Sequence, residues 1–373
     1  MNDRLIRVGI TPTHGMTDEA IEFPPKGVGY RPLALAPKRF SLIRSPIKCY
    51  MLSYEEGQDD LIEAVLGPIL TQKDWVYSLA CFQEATAFSI LGFPVPRSLR
   101  VAYITRLLAS PNCRRLLFWS EAGRKTLVSY GHVSDRSVLA KSDVVYPAVR
   151  RVVDEDIRYR DRAVNVLFSG DFFRKGGVNV VDAFEQAQKH FPDIRLTLCC
   201  DEAIDFKTSN LPLRNEYLGK IKANPAIRLG RVSRRTMIDE LLPDADVFLI
   251  PTYNEAFGFA ILEAMAFGVP IVSTTHFAIP EMIDHGVSGY LVDTDRFDCE
   301  TMFRGYMVNE IPEEFRTHVT RHVFDYLCRL LESASLRREI GTSALATART
   351  KFSFDQRNSR MEAIFHAEAG HMA

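Results

Sequence analysis

Residues 164–199 read VNVLFSGDFFRKGGVNVVDAFEQAQKHFPDIRLTLC, a run in which the period of the apolar positions changes twice. Val164–Phe168 is apolar and rich in β-branched residues, and a Ser-Gly pair follows it, which predicts a buried strand that leads into a loop. After the Lys-Gly-Gly of residues 175–177, apolar residues recur at spacings of three and four, as in an amphipathic helix. These residues are Val181, Phe184, Ala187 and Phe191. A proline ends the helix, and Ile194–Cys199 predicts the next strand.

The same alternation of strand and helix continues toward the C-terminus. Ser233 occupies the position of a helix N-cap, and a helix is predicted from there through Leu242, where a proline ends it. The further predicted elements are strands at Asp246–Ile250, Pro270–Thr274 and Gly289–Val292 and a helix at Phe259–Phe267. Apolar strands that alternate with helices across short loops predict a parallel sheet covered by helices on both faces. This half is therefore predicted to be an α/β doubly wound domain.

The first half repeats the theme less regularly. Its predicted strands are Leu5–Thr11, Cys49–Ser53, Asp74–Leu79 and Arg115–Ser120, and its predicted helices are Asp59–Leu70, Gln83–Leu91 and Glu121–Tyr130. Residues 12–40 contain several prolines and glycines and little periodicity, so we expect a long irregular loop there. A length of 373 residues suits two domains, and Val144–Val149 with the charged stretch after it is the predicted linker. Two such halves predict a ligand-binding cleft between them.

Composition and charge exclude several classes of protein. The 46 Lys and Arg are balanced by 47 Asp and Glu, and a formal net charge of −1 argues against binding to nucleic acid through a bulk positive field. The seven cysteines show no paired spacing of the zinc type and suit a reducing cytoplasm. The N-terminus lacks the apolar core of a signal peptide, and no apolar run is long enough to span a membrane.

The segment NEAFGFAILEAMAFGVPIVST, residues 254–274, carries the chemistry. Glu255 lies in the loop after a predicted strand, and a helix that begins near Gly258 would present its positive amino end to an anion or to sugar hydroxyls. Glu263 would lie about 7 Å farther along that helix, where a carboxylate can accept hydrogen bonds from a vicinal diol such as a ribose. Its neighbours are apolar, and an unpaired carboxylate among them would be costly, so we expect it to have a partner.

This segment resembles the Glu-x7-Glu signature of the retaining glycosyltransferases of family four, whose fold is the GT-B arrangement of two Rossmann-like domains facing a cleft. The resemblance extends to LFSGDFFRKGG, to IRLGRVSRRTMIDELLPDADVFLIPTYNEAFG, to HFAIPEMIDHGVSGYLV and to KFSFDQRNSRMEAIF. It covers residues 164–365 well and the first 150 residues loosely. It implies an N-terminal, acceptor-side domain at residues 1–150, a donor-side domain at 151–350, and a C-terminal helix at 351–373 that crosses back to the first domain.

The resemblance also implies roles for individual residues. Glu255 and Lys175 would be catalytic, with Glu255 on the donor sugar and Lys175 neutralising the diphosphate as the leaving group gains charge. The donor would further be bound by Gly170, Arg174, Ala256, Phe257, Gly258, Phe259, Glu263 and Arg231. Glu263 would hold the nucleotide ribose. No metal and no other cofactor is expected, because cationic side chains and helix amides would take the place of a metal ion.

The sequence departs from the family pattern at three places. Asp171 follows Gly170 where the family has an arginine, so either Arg174 serves instead through a shortened loop or the second cation is missing. The glycine-rich first loop and the histidine of a middle N-terminal strand are also missing, and neither His14 nor His132 is given a role. His276 is interpreted as structural. Arg234 and Arg235, which lie close to Arg231 in the sequence, are interpreted as a solvated helix start.

These observations favour an enzyme that moves a sugar from a nucleoside diphosphate sugar to an acceptor with retention of anomeric configuration. The alternative is a degenerate GT-B protein that binds a nucleotide sugar or a partner without catalysis. A nicotinamide-dependent oxidoreductase is set aside, because the first strand is not followed by Gly-x-Gly-x-x-Gly. The expected location is the cytoplasm. Peripheral contact with the inner face of a membrane is left open, although no basic amphipathic helix stands out, and the donor sugar, the acceptor and the oligomeric state are also left open.

Overall fold

A computed structural model describes residues 5–11, 16–33, 43–44, 58–90, 93–150, 152–162, 164–205, 208, 210–297 and 311–369. The chain forms two compact units. Unit 1 combines Met1–Arg150 with Phe352–Ala373, and unit 2 is Arg151–Lys351. Within unit 1, the N–H of Val149 donates to the carbonyl of Phe352 over 2.9 Å.

Unit 1 is built on a parallel sheet of six strands in the order β2-β1-β4-β5-β8-β9. Its strands are β1 (Ile6–Ile10), β2 (Val28–Pro32), β4 (Leu61–Val65), β5 (Trp75–Leu79), β8 (Cys113–Phe118) and β9 (Ser142–Val144). A small antiparallel sheet contains β3 (Ile43–Arg44), β6 (Ser89–Ile90) and β7 (Phe93–Pro94). The helices are α1 (Met16–Glu22), α2 (Phe82–Ala85), α3 (Arg97–Leu108), α4 (Glu121–Ser129), α5 (Arg136–Ala140) and, after unit 2, α13 (Phe354–Ala369).

Unit 2 contains a second parallel sheet of six strands, in the order β12-β11-β10-β13-β14-β15. The strands are β10 (Asn165–Ser169), β11 (Arg195–Cys199), β12 (Ile227–Leu229), β13 (Val247–Ile250), β14 (Ile271–Thr274) and β15 (Tyr290–Val292). The α-helices are α6 (Gly177–Gln188), α7 (Leu211–Ala223), α8 (Arg234–Thr236), α9 (Leu242–Asp244), α10 (Phe259–Ala266), α11 (Glu313–Glu332) and α12 (Ala334–Lys351), with a π-helical turn, Met237–Leu241, that joins α8 to α9.

The regular pattern of unit 2 is confirmed, except that the helix predicted to end at Leu242 continues through Pro243 to Asp244. Val181, Phe184 and Ala187 of the predicted stripe are fully buried on α6. The side chain of Ser233 accepts from the N–H of Thr236, as an N-cap does. β13 and β14 are buried along their whole lengths, which is why the sequence shows them as uninterrupted apolar runs. The predicted α/β class with parallel sheets is therefore correct.

In unit 1 three predictions are wrong. The predicted helix over residues 59–70 is instead the central strand β4, and that over residues 83–91 is a helix only at Phe82–Ala85. The irregular loop expected at residues 12–40 contains α1 and β2. The strand predicted at Cys49–Ser53 lies outside the described residues. The error at β4 has a physical cause, because the buried Glu63 interrupts its apolar run and imitates the polar face of a helix.

Candidate active site

Two glycines shape the loop that carries Lys175 at the carboxyl end of β10. Gly170 has φ = 117°, and a Cβ there would lie 2.8 Å from Cγ of Lys175. Gly176 has φ = 80°, and a Cβ there would lie 2.2 Å from the carbonyl oxygen of Pro251, in the loop after β13. Both positions need the left-handed conformation that glycine adopts at low cost. The glycines thus allow the lysine to fold back and the two loops to touch.

One backbone hydrogen bond and a network of side-chain hydrogen bonds hold these two loops in place. The N–H of Tyr253 donates to the carbonyl of Arg174 over 3.0 Å. The hydroxyl of the same tyrosine donates to Oδ1 of Asn179, which lies on α6 and is fully buried. Asn179 in turn donates to Oγ1 of Thr320 on α11 over 3.0 Å. A buried and satisfied network of this kind gives the loop after β13 a fixed position.

The loop after β13 brings Glu255 against Lys175. The Nζ atom of Lys175 lies 2.5 Å from Oε2 of Glu255 and also donates to the carbonyl of Asn254 over 3.2 Å. The other carboxylate oxygen of Glu255 accepts from the N–H of Ala256 over 3.0 Å. The two charged side chains are only 9% and 15% exposed, so this is a largely buried ion pair. The two residues predicted to be catalytic are therefore in direct contact.

The pKa values of the pair reflect two opposing forces. Burial raises the pKa of Glu255, but the Lys175 ammonium, the Arg174 guanidinium and the Ala256 N–H outweigh it, so the pKa of Glu255 lies below its usual range. For Lys175 the balance is reversed, because burial lowers the pKa of the ammonium more than the Glu255 carboxylate raises it. Glu255 is consequently ionised at neutral pH.

Helix α10 begins immediately after this pair. Gly258 is its N-cap, in the left-handed conformation with φ = 113°, and Phe257 before it is buried. The predicted helix start near Gly258 is confirmed, and Phe259 is the first helical residue. The amino end of a helix carries partial positive charge, which suits a phosphate or an oxygen-rich sugar. Glu255 and the amino end of α10 thus lie at the edge of the unit 2 sheet where the carboxyl ends of its strands meet.

Glu263, farther along α10, has the partner that its apolar surroundings required. Its Oε1 accepts from Nε and Nη2 of Arg234 over 3.0 and 2.9 Å. Arg234 is 52% exposed, as expected for a solvated helix start, but it also reaches from α8 to Glu263, whereas Arg235 pairs with Asp239 on its own helical turn. The charge of Glu263 is thus balanced while its side chain remains 17% exposed.

Two further predicted donor-binding residues occupy neighbouring loops. Arg174 pairs with Asp171, the residue that replaces the family arginine, and its charge acts on both Lys175 and Glu255. Arg231 lies in the loop after β12, is 74% exposed, and has its Nη2 atom 3.6 Å from Asp201. Arg174 is therefore part of the cluster around the buried pair, whereas Arg231 reaches into solvent.

His276 is a residue whose place beside the pair the sequence did not reveal. It follows β14, which adjoins β13 in the sheet, and it interacts electrostatically with both Glu255 and Lys175. Burial lowers the pKa of His276 to about 4, so the imidazole is neutral at neutral pH. The next residue, Phe277, has φ = 52°, a conformation unusual for a bulky residue. The one available signal was the position of His276 after a predicted strand.

The described residues contain neither a cluster of metal ligands nor a membrane-spanning helix. Within them no group of three or more His, Cys, Asp or Glu side chains is placed to hold a metal ion. No described helix combines the length and the apolar character needed to cross a membrane. His14 lies outside the described residues.

Residues 163–303 match the family model described as glycosyl transferases group 1. N-acetyl-alpha-D-glucosaminyl L-malate synthase of Bacillus anthracis is 31% identical over 279 residues, which cover 70% of this chain and 65% of that protein. D-inositol 3-phosphate glycosyltransferase of Corynebacterium kroppenstedtii is 29% identical over 192 residues, which cover 49% of this chain and 43% of that protein. The chain thus spans less than two thirds of the length of these curated relatives.

A solved structure of Anabaena Alr3699/HepE in complex with UDP and glucose matches 96% of this chain and 98% of its own, with a TM-score of 0.61 and 15% identity. At this identity the likeness concerns the fold, and it confirms the predicted GT-B class with two Rossmann-like domains. The family match at residues 163–303 and the curated relatives confirm the resemblance that the sequence motifs indicated. Residues 163–303 of the chain belong to the family of glycosyl transferases group 1.

Proposed function

We propose that this protein transfers a sugar from a nucleoside diphosphate sugar to a hydroxyl of an acceptor, with retention of the anomeric configuration and without a metal ion. The observation that carries the proposal is the buried Lys175–Glu255 pair at the amino end of α10, where a cation, a carboxylate and a helix end lie together. Membership of the family supports the reaction class, and the roles of individual residues follow from their chemistry.

Lys175 is proposed to stabilise the leaving group. When the bond between the anomeric carbon and the phosphate oxygen breaks, negative charge grows on the diphosphate. A buried ammonium at that point stabilises charge more strongly than a solvated one, because little water screens it. Arg174 and the amino end of α10 would add positive potential from neighbouring positions.

Glu255 is proposed to hold the donor sugar. An ionised carboxylate accepts hydrogen bonds from sugar hydroxyls, and it also stabilises the positive charge that develops at the anomeric centre. The acceptor oxygen would bond to the anomeric carbon from the face that the diphosphate leaves, and the acceptor proton would pass to the departing phosphate oxygen. No side chain of the protein then needs to become covalently attached to the sugar.

Glu263 is proposed to bind the ribose of the nucleotide. Arg234 neutralises this carboxylate and fixes its orientation, and the oxygens still have acceptor capacity for a diol. We further propose that unit 2 binds the donor and that residues 1–150 bind the acceptor. The described cysteines are free thiols, which suits the proposed cytoplasmic location.

The test is a screen of UDP-, GDP- and ADP-sugars against a set of acceptors, with mass spectrometry of products and a parallel assay of donor hydrolysis. UDP-sugars come first, because the Anabaena structure was solved with UDP and glucose. NMR of the product would determine whether the anomeric configuration is retained. EDTA should leave the rate unchanged if no metal takes part.

Glu255→Gln and Lys175→Met should each lower kcat by about a hundredfold to a thousandfold, as the loss of one transition-state contact does. Lys220→Met is the matched control, because it removes another lysine that pairs with a carboxylate. The Nζ atom of Lys220, on α7, lies 2.9 Å from Oδ1 of Asp182. Full activity of a folded Glu255→Gln or Lys175→Met variant would contradict the site. Tight donor binding without turnover for any acceptor, and without donor hydrolysis, would favour the non-catalytic alternative.

A further inference from the structure

A surface of unit 1 combines arginines with exposed apolar side chains. Residues 85–120 contain no Asp or Glu, although they contain five arginines. Arg114 and Arg115 pair with Glu368 of α13, whereas no carboxylate among the described residues pairs with the other three, Arg97, Arg100 and Arg106. This stretch therefore carries positive charge that the described acidic residues do not neutralise.

The same stretch exposes four large apolar side chains. Ile90, Phe93, Leu99 and Tyr103 are 43, 72, 60 and 41% exposed. Ile90 faces Phe93 across the β6–β7 hairpin, and Leu99 and Tyr103 lie one turn apart on α3. The ring of Phe88, which precedes the hairpin, lies 6.0 Å from the ring of Tyr103 and links the two elements. We call these four exposed side chains, with Arg106 on the same face of α3 as Leu99 and Tyr103, the hairpin–helix patch. Arg97 lies instead over the ring of Tyr130, 3.9 Å from its centroid, and donates to the Tyr130 carbonyl.

We propose that the hairpin–helix patch docks on an anionic lipid bilayer. Its apolar side chains would enter the boundary between headgroups and acyl chains, and Arg106 would contact a lipid phosphate, as in proteins that bind one face of a membrane. A second copy of this chain is a poorer occupant, because a symmetric interface would set arginine against arginine with no carboxylate from the patch between them. The proposal does not depend on the proposed function.

The experiment is flotation of the full chain with vesicles of phosphatidylcholine alone or with about one third phosphatidylglycerol. We expect binding to the anionic vesicles, weakened by salt, and little binding to the neutral ones. Arg106→Gln should weaken binding about fivefold, as the loss of one arginine near an anionic surface does. Leu99→Gln should weaken it by a similar or larger factor. Leu211→Gln is the matched control, since Leu211 is 57% exposed on α7, outside the patch.

Three results would overturn the proposal: no binding to anionic vesicles, equal binding to both kinds of vesicle, or variants of the patch that bind like the wild type. A dimer in solution that Leu99→Gln dissociates would assign the patch to a second copy and would also overturn it. Donor hydrolysis by Leu99→Gln should equal that of the wild type, so that failure of membrane docking is distinguishable from failure of the proposed function.

Discussion

The Lys175–Glu255 pair sets a quantitative expectation for the stability of unit 2. Lys175→Met nearly keeps the side-chain volume and leaves the Glu255 carboxylate buried without its cation. At the observed 2.5 Å separation the Coulomb attraction is about 7 kcal/mol with an effective dielectric constant of about 20. Desolvation of both ions opposes it, and loss of one partner of a buried pair costs about 3–5 kcal/mol. We therefore expect Lys175→Met to lower the free energy of unfolding by about 3 kcal/mol near pH 8.

The double variant Lys175→Met/Glu255→Gln contains no buried charge at this place. It should be more stable than Lys175→Met by about 2 kcal/mol, because the uncompensated carboxylate is gone. In the wild type the pKa of Glu255 is below its unfolded value, so its contribution to stability is present above that value and is lost as the pH falls through the folded pKa. In Lys175→Met burial is opposed only by the Arg174 guanidinium and the Ala256 N–H, so the pKa of Glu255 should rise and the penalty should shrink between pH 8 and pH 5.

The two tryptophans make the assay selective. Trp75 and Trp119 both belong to unit 1, so their fluorescence reports that unit, while far-UV circular dichroism reports the helices of both. In urea titrations Lys175→Met should move the dichroism transition to lower urea and leave the fluorescence transition in place. The reasoning would be refuted if the double variant were no more stable than Lys175→Met and the penalty did not change with pH.

Three further expectations concern single positions. Gly176→Ala places a Cβ 2.2 Å from the carbonyl oxygen of Pro251 and should lower the free energy of unfolding by about 2 kcal/mol or more. Gly219→Ala, whose Cβ would have nothing within 4 Å, should raise the free energy of unfolding by up to about 1 kcal/mol. Equal melting temperatures of the two variants would contradict this expectation. Glu368→Gln removes the carboxylate that two arginines of β8 share, so amide exchange in α13 should accelerate, and unchanged exchange would show that these ion pairs do not hold the helix. Burial lowers the pKa of His276 to about 4, so its imidazole should stay neutral in NMR titrations down to about pH 5.5. The same shift should lower the free energy of unfolding as the pH falls from 6.5 toward 4, because the unfolded imidazole binds its proton first. An imidazole that titrates near 6.5 would contradict the burial of His276.

The sequence predicted unit 2 well because its strands are buried on both faces and proline or glycine marks their boundaries. β4 of unit 1 shows why the other half was harder. Its Glu63 is buried and accepts from Tyr30 over 2.8 Å and from Ser78 over 2.7 Å, and Arg357 of α13 lies 3.7 Å away. A pattern of apolar residues cannot indicate that a carboxylate will find three partners on other elements. Such a residue therefore looks like the solvated face of a helix.

The candidate site was predicted as a set of residues but not as a set of contacts. Lys175, Glu255 and Glu263 were predicted from the resemblance of their sequence motifs to those of the family. Their partners depend on the sheet order, which places β10 beside β13 although β11 and β12 lie between them in the chain. Nothing in the local sequence sets that order. The contact of Glu263 with Arg234 and the position of His276 follow from the same sheet, so the structure was needed to find them.

Stability alone does not explain why a buried ion pair lies at the end of β10. Replacing such a pair by apolar side chains of similar volume is often neutral or stabilising, and burial already lowers the pKa of the Lys175 ammonium, which means that its charged form is disfavoured there. Two left-handed glycines and a buried Asn–Tyr network hold the loops that keep the pair together. The fold thus maintains a costly arrangement of charge. A diphosphate whose negative charge grows during reaction is the kind of ligand for which a preorganised, poorly hydrated cation beside a carboxylate is useful.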